Sequence, residues 1–83
     1  MSAEKLDPET HRILLYYKLY EFAWELIWNS VKDLKKKDCV FAVETHPAIK
    51  IMEILAPHDC IVLKIRESLV KDFKEKYCML KEE

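Results

Sequence analysis

The chain has no glycine and no glutamine, and its one asparagine is Asn29. Any left-handed backbone position would therefore carry a Cβ clash, which disfavours tight primed hairpin turns. Helices joined by connections marked with proline or aspartate are favoured instead. The same absence excludes the glycine-rich loops that cradle phosphate in P-loop and dinucleotide-binding proteins. Long uncharged runs are missing too. The first apolar run, Tyr16 to Trp28, is broken by Lys18, Glu21 and Glu25, whereas a membrane span needs about 20 mostly uncharged residues. Charge of one sign is not in excess: 14 lysines and arginines face 15 acidic residues, for a net charge of −1. A protein that neutralises nucleic-acid phosphates usually carries a clear basic surplus.

Cysteine is sparse and odd in number, with Cys39, Cys60 and Cys78 in no CxxC spacing. Met1 to Leu6 is polar and lacks the apolar core of a secretory signal. These features lead us to expect a cytoplasmic protein with reduced thiols. Few amide side chains among many charged ones is also a thermophile-like composition.

What is present is a hydrophobic share of 51% in 83 residues, enough for one small domain, residues 1–83, with a real core. Chains of this size often complete that core by association. Asp7-Pro8-Glu9 reads as a helix start: a capping carboxylate, a proline at the first helical position, and an acid at the positive end of the dipole. The helical pattern continues to about Lys37, with a break near Asn29-Ser30 or a projecting end as the two ways to fit its length. The lysines of the Lys32–Asp38 stretch would then sit at the helix C-terminus, where the dipole favours cations.

From Asp38 to Glu44, Cys39, Phe41 and Val43 alternate with Val40, Ala42 and Glu44, which predicts a strand. Thr45 or His46 caps a second helix with Pro47 in its first turn, Ala48, Ile51, Ile54 and Leu55 along one side, and an end before Pro57. Cys60 to Arg66 is read as a second strand. The alternative there is a helix capped by Asp59, with Val62, Ile65, Leu69, Phe73 and Tyr77 in one stripe. A last helix starts at Ser68 with Leu69, Phe73, Tyr77 and Leu80 inward, followed by a charged tail, Lys81-Glu82-Glu83. The expected fold is α+β: a long N-terminal helix packed on a small β-α-β unit with a C-terminal helix. The alternative is an all-α bundle. Two strands leave edges that pairing between protomers would cover.

On the first helix, steps of 100° per residue separate three stripes. Lys18, Glu21, Glu25, Asn29 and Lys32 are polar. Leu15, Leu19, Phe22 and Leu26 are apolar, and Ile13, Tyr17, Tyr20, Trp24, Ile27, Trp28 and Val31 form an aromatic-rich neighbour. One reading buries the whole apolar arc in the protomer. The other places the aliphatic stripe on the protomer core and leaves Ile13, Tyr17, Tyr20, Trp24, Trp28 and Val31 as an interface, because aromatic rings concentrate at interfaces.

Chemistry-bearing groups are few. His58-Asp59-Cys60 and the pair Cys39/His46 contain zinc-type donors, but in no standard spacing, and a Cys–His nucleophile pair lacks any visible oxyanion pocket. We therefore expect no catalytic residues, no metal and no cofactor. The best basic patch is Lys32, Lys35, Lys36 and Lys37, whose ordinary role is a solvated helix end. The function expected is a non-enzymatic interaction or adaptor module that forms a homo-oligomer or binds another protein, with no membrane insertion. The alternative is weak nucleic-acid binding through the lysines, and a third reading is a minor enzyme or metal-binding subunit.

Overall fold

Asp7 starts the first helix as its sequence dictates: its Oδ1 accepts the Thr10 amide at 2.7 Å and Pro8 occupies the first turn. In the computed structural model, which describes residues 7–81, this helix, α1, spans Pro8–Val31. Met1 to Leu6, expected to carry no signal, and the tail residues Glu82 and Glu83 lie outside the described residues. Next come α2 (Lys36–Glu44), α3 (Pro47–Leu55), a 3-10 turn (Ala56–His58) and α4 (Cys60–Asp72). The chain runs on from α4 into a π-helical segment, Phe73–Cys78. Among the described residues there is no strand, and the fold is all-helical.

The expected α+β fold with its β-α-β unit is thus overturned at both strands. From Asp38 to Glu44 the decisive spacing is one helical turn: Cys39 and Val43 are fully buried, while Phe41, which a strand would place beside them, is 68% exposed. Such a short apolar run satisfies either period, and burial at i and i+4 selects the helix. At the second site Asp59 Oδ1 accepts the amides of Ile61 and Val62 at 2.9 and 3.4 Å. This cap outweighs the weak β preference of Ile61, Val62 and Ile65, since propensities differ by only a fraction of a kcal/mol per residue. The last helix consequently begins at Cys60 rather than Ser68.

The first helix ends at Val31 rather than near Lys37, and α2 restarts the chain in a new direction. Among the described residues no φ angle is positive, the only arrangement a glycine-free chain holds without steric cost. The core consists of Ala23, Ile27 and Val31 from α1, Cys39 and Val43 from α2, Ile49 and Met52 from α3, Val62 and Leu69 from α4, and Phe73 and Cys78 from the π segment. On α3 the inward face is therefore set by Ile49 and Met52, and the expected stripe of Ile51, Ile54 and Leu55 is exposed. Leu80, expected inward, is also exposed.

Cys39 and Cys78 form a disulfide with Cα atoms 5.5 Å apart, so the expectation of three reduced thiols does not hold. Cys60 alone is free, and it is exposed. The π turn explains how Cys78 reaches its partner. Hydrogen bonds from i to i+5 widen the helix, so Phe73 and Cys78, five residues apart, both turn inward and both are buried.

The ends of α3 fix its direction along α1. Its cap residue His46 meets Ser30, near the end of α1, at 3.0 Å. Asp59, just beyond its 3-10 turn, meets Arg12 and Tyr16 near the start of α1. α3 is therefore antiparallel to α1. The first turns of α1 stand clear of this bundle, with Asp7 to Leu15 exposed throughout, and the molecule is elongated, 54 × 28 × 17 Å.

Candidate functional site

The aromatic residues of α1 turn toward their own chain. Trp24 stacks on Trp28 at 5.8 Å between centroids, and both rings meet Phe73 and Tyr77 at 5.1–6.5 Å. Lys81 Nζ stands 5.6 Å over the Trp28 ring while donating to the Lys32 carbonyl at 2.6 Å. Val31 is fully buried. Tyr20 is half-buried and donates to Asp72 Oδ2 at 3.3 Å, and burial first, then Asp72, raises its pKa above the ordinary value. Of the six residues expected as an interface, Trp24, Trp28 and Val31 thus lie together at the junction with α2 and the π segment. Tyr20 lies against the end of α4. Ile13 and Tyr17 are exposed.

What sequence reasoning missed is the neighbouring stripe. Leu15 and Phe22 are 53% and 64% exposed, Leu26 is also exposed, and Leu19 is half-buried. These four follow one another at spacings of four, three and four residues, the pattern of a helix seam that packs on another helix. The spacing was visible in the sequence. Missing was knowledge of which stripe the rest of the chain covers, and Phe73 and Tyr77 decide that by docking on the two tryptophans. The exposed Ile51 and Leu55 of α3 add apolar surface on the flank away from Glu53, which faces α4 through a 2.7 Å contact with Arg66. Contiguous exposed apolar stripes are uncommon on small monomeric domains.

The polar groups near this face hold helices together. Asp59 caps α4, accepts Arg12 Nη2 at 3.2 and 3.3 Å, and accepts the Tyr16 hydroxyl. The Tyr16 hydrogen bond, ahead of the two amides and Arg12, holds the Asp59 carboxyl below its ordinary pKa. His46 Nδ1 accepts the Ala48 amide at 3.0 Å, which makes Nε2 the protonated nitrogen of the neutral ring and a donor to Ser30 Oγ. Ser30 in turn donates to the Leu26 carbonyl at 3.1 Å. Burial lowers the His46 pKa, and the Leu26 carbonyl opposes that shift.

These engagements take up three of the groups that could have carried chemistry, while His58 and the free Cys60 are exposed. Cys39 is bonded to Cys78, His46 is a cap, and Asp59 is an anchor. Among the described residues no three His, Cys, Asp or Glu side chains gather as metal ligands do. Two surface hollows among the described residues are each lined by one helix alone: one by residues of α1 between Tyr17 and Glu25, the other by residues of α4 and its π extension between Arg66 and Glu75. A ligand pocket needs walls from more than one side.

The lysine cluster also changes meaning. Lys32 follows α1, Lys35 is the α2 cap residue, and Lys36 and Lys37 lie in the first turn of α2. Lys35, Lys36 and Lys37 sit at the positive end of the α2 dipole rather than at the expected negative end, with Asp38 as the local counter-charge, whereas Lys32, the C-cap of α1, keeps the expected place. Among the described residues no helix is long and apolar enough to cross a membrane. No family model, curated protein or solved structure matches the chain.

Proposed function

We propose that the protein is a non-enzymatic interaction module that self-associates through the exposed stripe Leu15, Leu19, Phe22 and Leu26 of α1. One observation carries the reading: a helix already anchored to its own core keeps an apolar seam beside that contact, with Leu15, Phe22 and Leu26 exposed and Leu19 half-buried at its edge. Burying such side chains stabilises association by about 25 cal/mol per Å² of apolar surface before the costs of association are met. The helix is already folded and tied at both ends, so pairing does not have to order it.

A non-enzymatic role is supported by the structural employment of Cys39, His46 and Asp59. Weak nucleic-acid binding through Lys32, Lys35, Lys36 and Lys37 is the weaker reading, because Asp33 and Asp38 interleave with them and the net charge is −1. We place the module in the cytoplasm of a heat-adapted cell, a setting in which intracellular disulfides such as Cys39–Cys78 persist and few amides among many charges are common. Differential alkylation in intact cells tests the heat-adapted setting, in which the Cys39–Cys78 bond persists, and free Cys39 and Cys78 thiols would count against that setting.

Sedimentation equilibrium between about 1 and 100 µM tests self-association, the micromolar range being that of small interfaces. The expected result is a mass that rises from monomer toward dimer and a Phe22→Asp variant that stays monomeric. A monomeric parent at every concentration would overturn the reading and leave another protein as the partner to seek.

A further inference from the structure

We infer that the partner on the α1 seam is a second copy of the chain running antiparallel, with Lys18 of each protomer opposite Glu25 of the other. This rests on the self-association proposed above and adds its geometry. With Leu15, Leu19, Phe22 and Leu26 as the alternating seam positions of a helix pair, Lys18 and Glu25 fall seven residues apart on one flank of the seam. The opposite flank is formed by Tyr16, Ala23 and Ser30, each engaged by its own chain. In an antiparallel pair, like flanks face each other, so Leu15 packs on the partner's Leu26, Leu19 packs on its Phe22, and Lys18 meets Glu25 twice by symmetry. A parallel pair would set each charged flank against the partner's Tyr16, Ala23 and Ser30 side, with no countercharge. Antiparallel helix dipoles favour the same choice. Among the described residues neither Lys18 nor Glu25 belongs to an ion pair within the chain, so both are free to pair across the seam.

The seam is only about 17 Å long at about 1.5 Å per residue. It supplies part of the roughly 800 Å² per partner that a standard interface buries, and the exposed Ile51 and Leu55 of α3 add apolar surface. A small interface on a preformed helix gives a weak, concentration-dependent dimer rather than an obligate one.

The test uses the full chain with Cys60→Ser and a nitroxide at His11→Cys, an exposed position on α1, read by pulsed electron resonance and sedimentation at about 100 µM. The antiparallel pair places the two labels about 30 Å apart, from about 1.5 Å per residue on either side of a centre between Leu19 and Phe22. A parallel pair places them about 10 Å apart, the interaxial spacing. Lys18→Glu is expected to weaken the dimer about tenfold, and adding Glu25→Lys to the same chain restores it. A dimer with the short distance, or one indifferent to both charge changes, overturns the antiparallel geometry while self-association stands. Absence of any dimer overturns both.

Discussion

At its C-terminal end α1 is held by apolar rings beside a disulfide, and at its N-terminal end by a carboxylate. Around Trp24 and Trp28, the buried Phe73 and the half-buried Tyr77 fill the space, and Cys39–Cys78 ties α2 to the π segment beside Val31. Around Arg12 and Tyr16, Asp59 makes the polar link to the rest of the molecule, Tyr16 packs half-buried against the core, and Asp7 to Leu15 stay exposed. The first end draws its stability from area and covalent closure, which acid and salt barely touch. The second depends on charge-assisted hydrogen bonds, which protonation removes. One helix thus joins a rigid end to a conditional one, and the exposed seam spans the stretch between them.

The sharpest way to break the comparison is to empty the apolar end. Phe73→Ala removes a fully buried ring that touches Trp24, Trp28 and Tyr77, and is expected to cost about 3–5 kcal/mol in denaturant unfolding. Opening the disulfide follows closely. A bond across a sequence separation of 39 restricts the unfolded chain by about 4 kcal/mol in the loop-entropy account, with 2–4 typical of measured cases. A Cys39→Ala/Cys78→Ala pair should therefore lower the melting temperature by many degrees, and reductant should have no further effect on it. If reductant leaves the parent's melting temperature unchanged, the two ends do not differ in the way described.

Acid separates the ends more finely. The Asp59 carboxyl is held below the ordinary aspartate value, chiefly by Tyr16, with the two α4 amides and Arg12 adding to it. Its folded pKa is depressed, so its contribution is fully present above the unfolded value and is lost as pH falls through the folded one. Melting followed from pH 6 to pH 2 should show a decline below about pH 4, near the reference aspartate value. Asp59→Asn, which keeps an oxygen for the Ile61 and Val62 amides, should flatten that decline without abolishing the fold.

The two ends also differ in how much of them can be read from sequence. Asp7-Pro8 and His46-Pro47 announce their helices because capping is local chemistry. Asp59 was legible as a cap, yet the β-branched run after it pointed to a strand. A seven-residue window such as Asp38–Glu44 fits two periods, and only Cys78, 39 residues away, resolves it. The π turn that brings Phe73 and Cys78 to one face has no sequence period to reveal it. For the same reason the composition of α1 could show two adjoining apolar stripes but not which one the chain would cover. Rings are enriched at interfaces and in cores alike, so the tryptophans alone could not decide.

Phe22 offers the smallest expected effect on the protomer and the clearest on the comparison. Its ring is 64% exposed, so Phe22→Ser should change the stability of a dilute monomer by no more than about 0.5 kcal/mol, as surface substitutions do. At high concentration the outcome should differ. Dimerisation stabilises the folded state by mass action, so the parent's melting temperature should climb with concentration while the variant's stays level. Trp28→Ala is the counterpart on the covered face and should destabilise the protein equally at both concentrations, because its ring is engaged within the protomer. If Trp28→Ala removes the concentration dependence and Phe22→Ser does not, the faces of α1 have been assigned the wrong way round, and the aromatic face is the one that meets a partner.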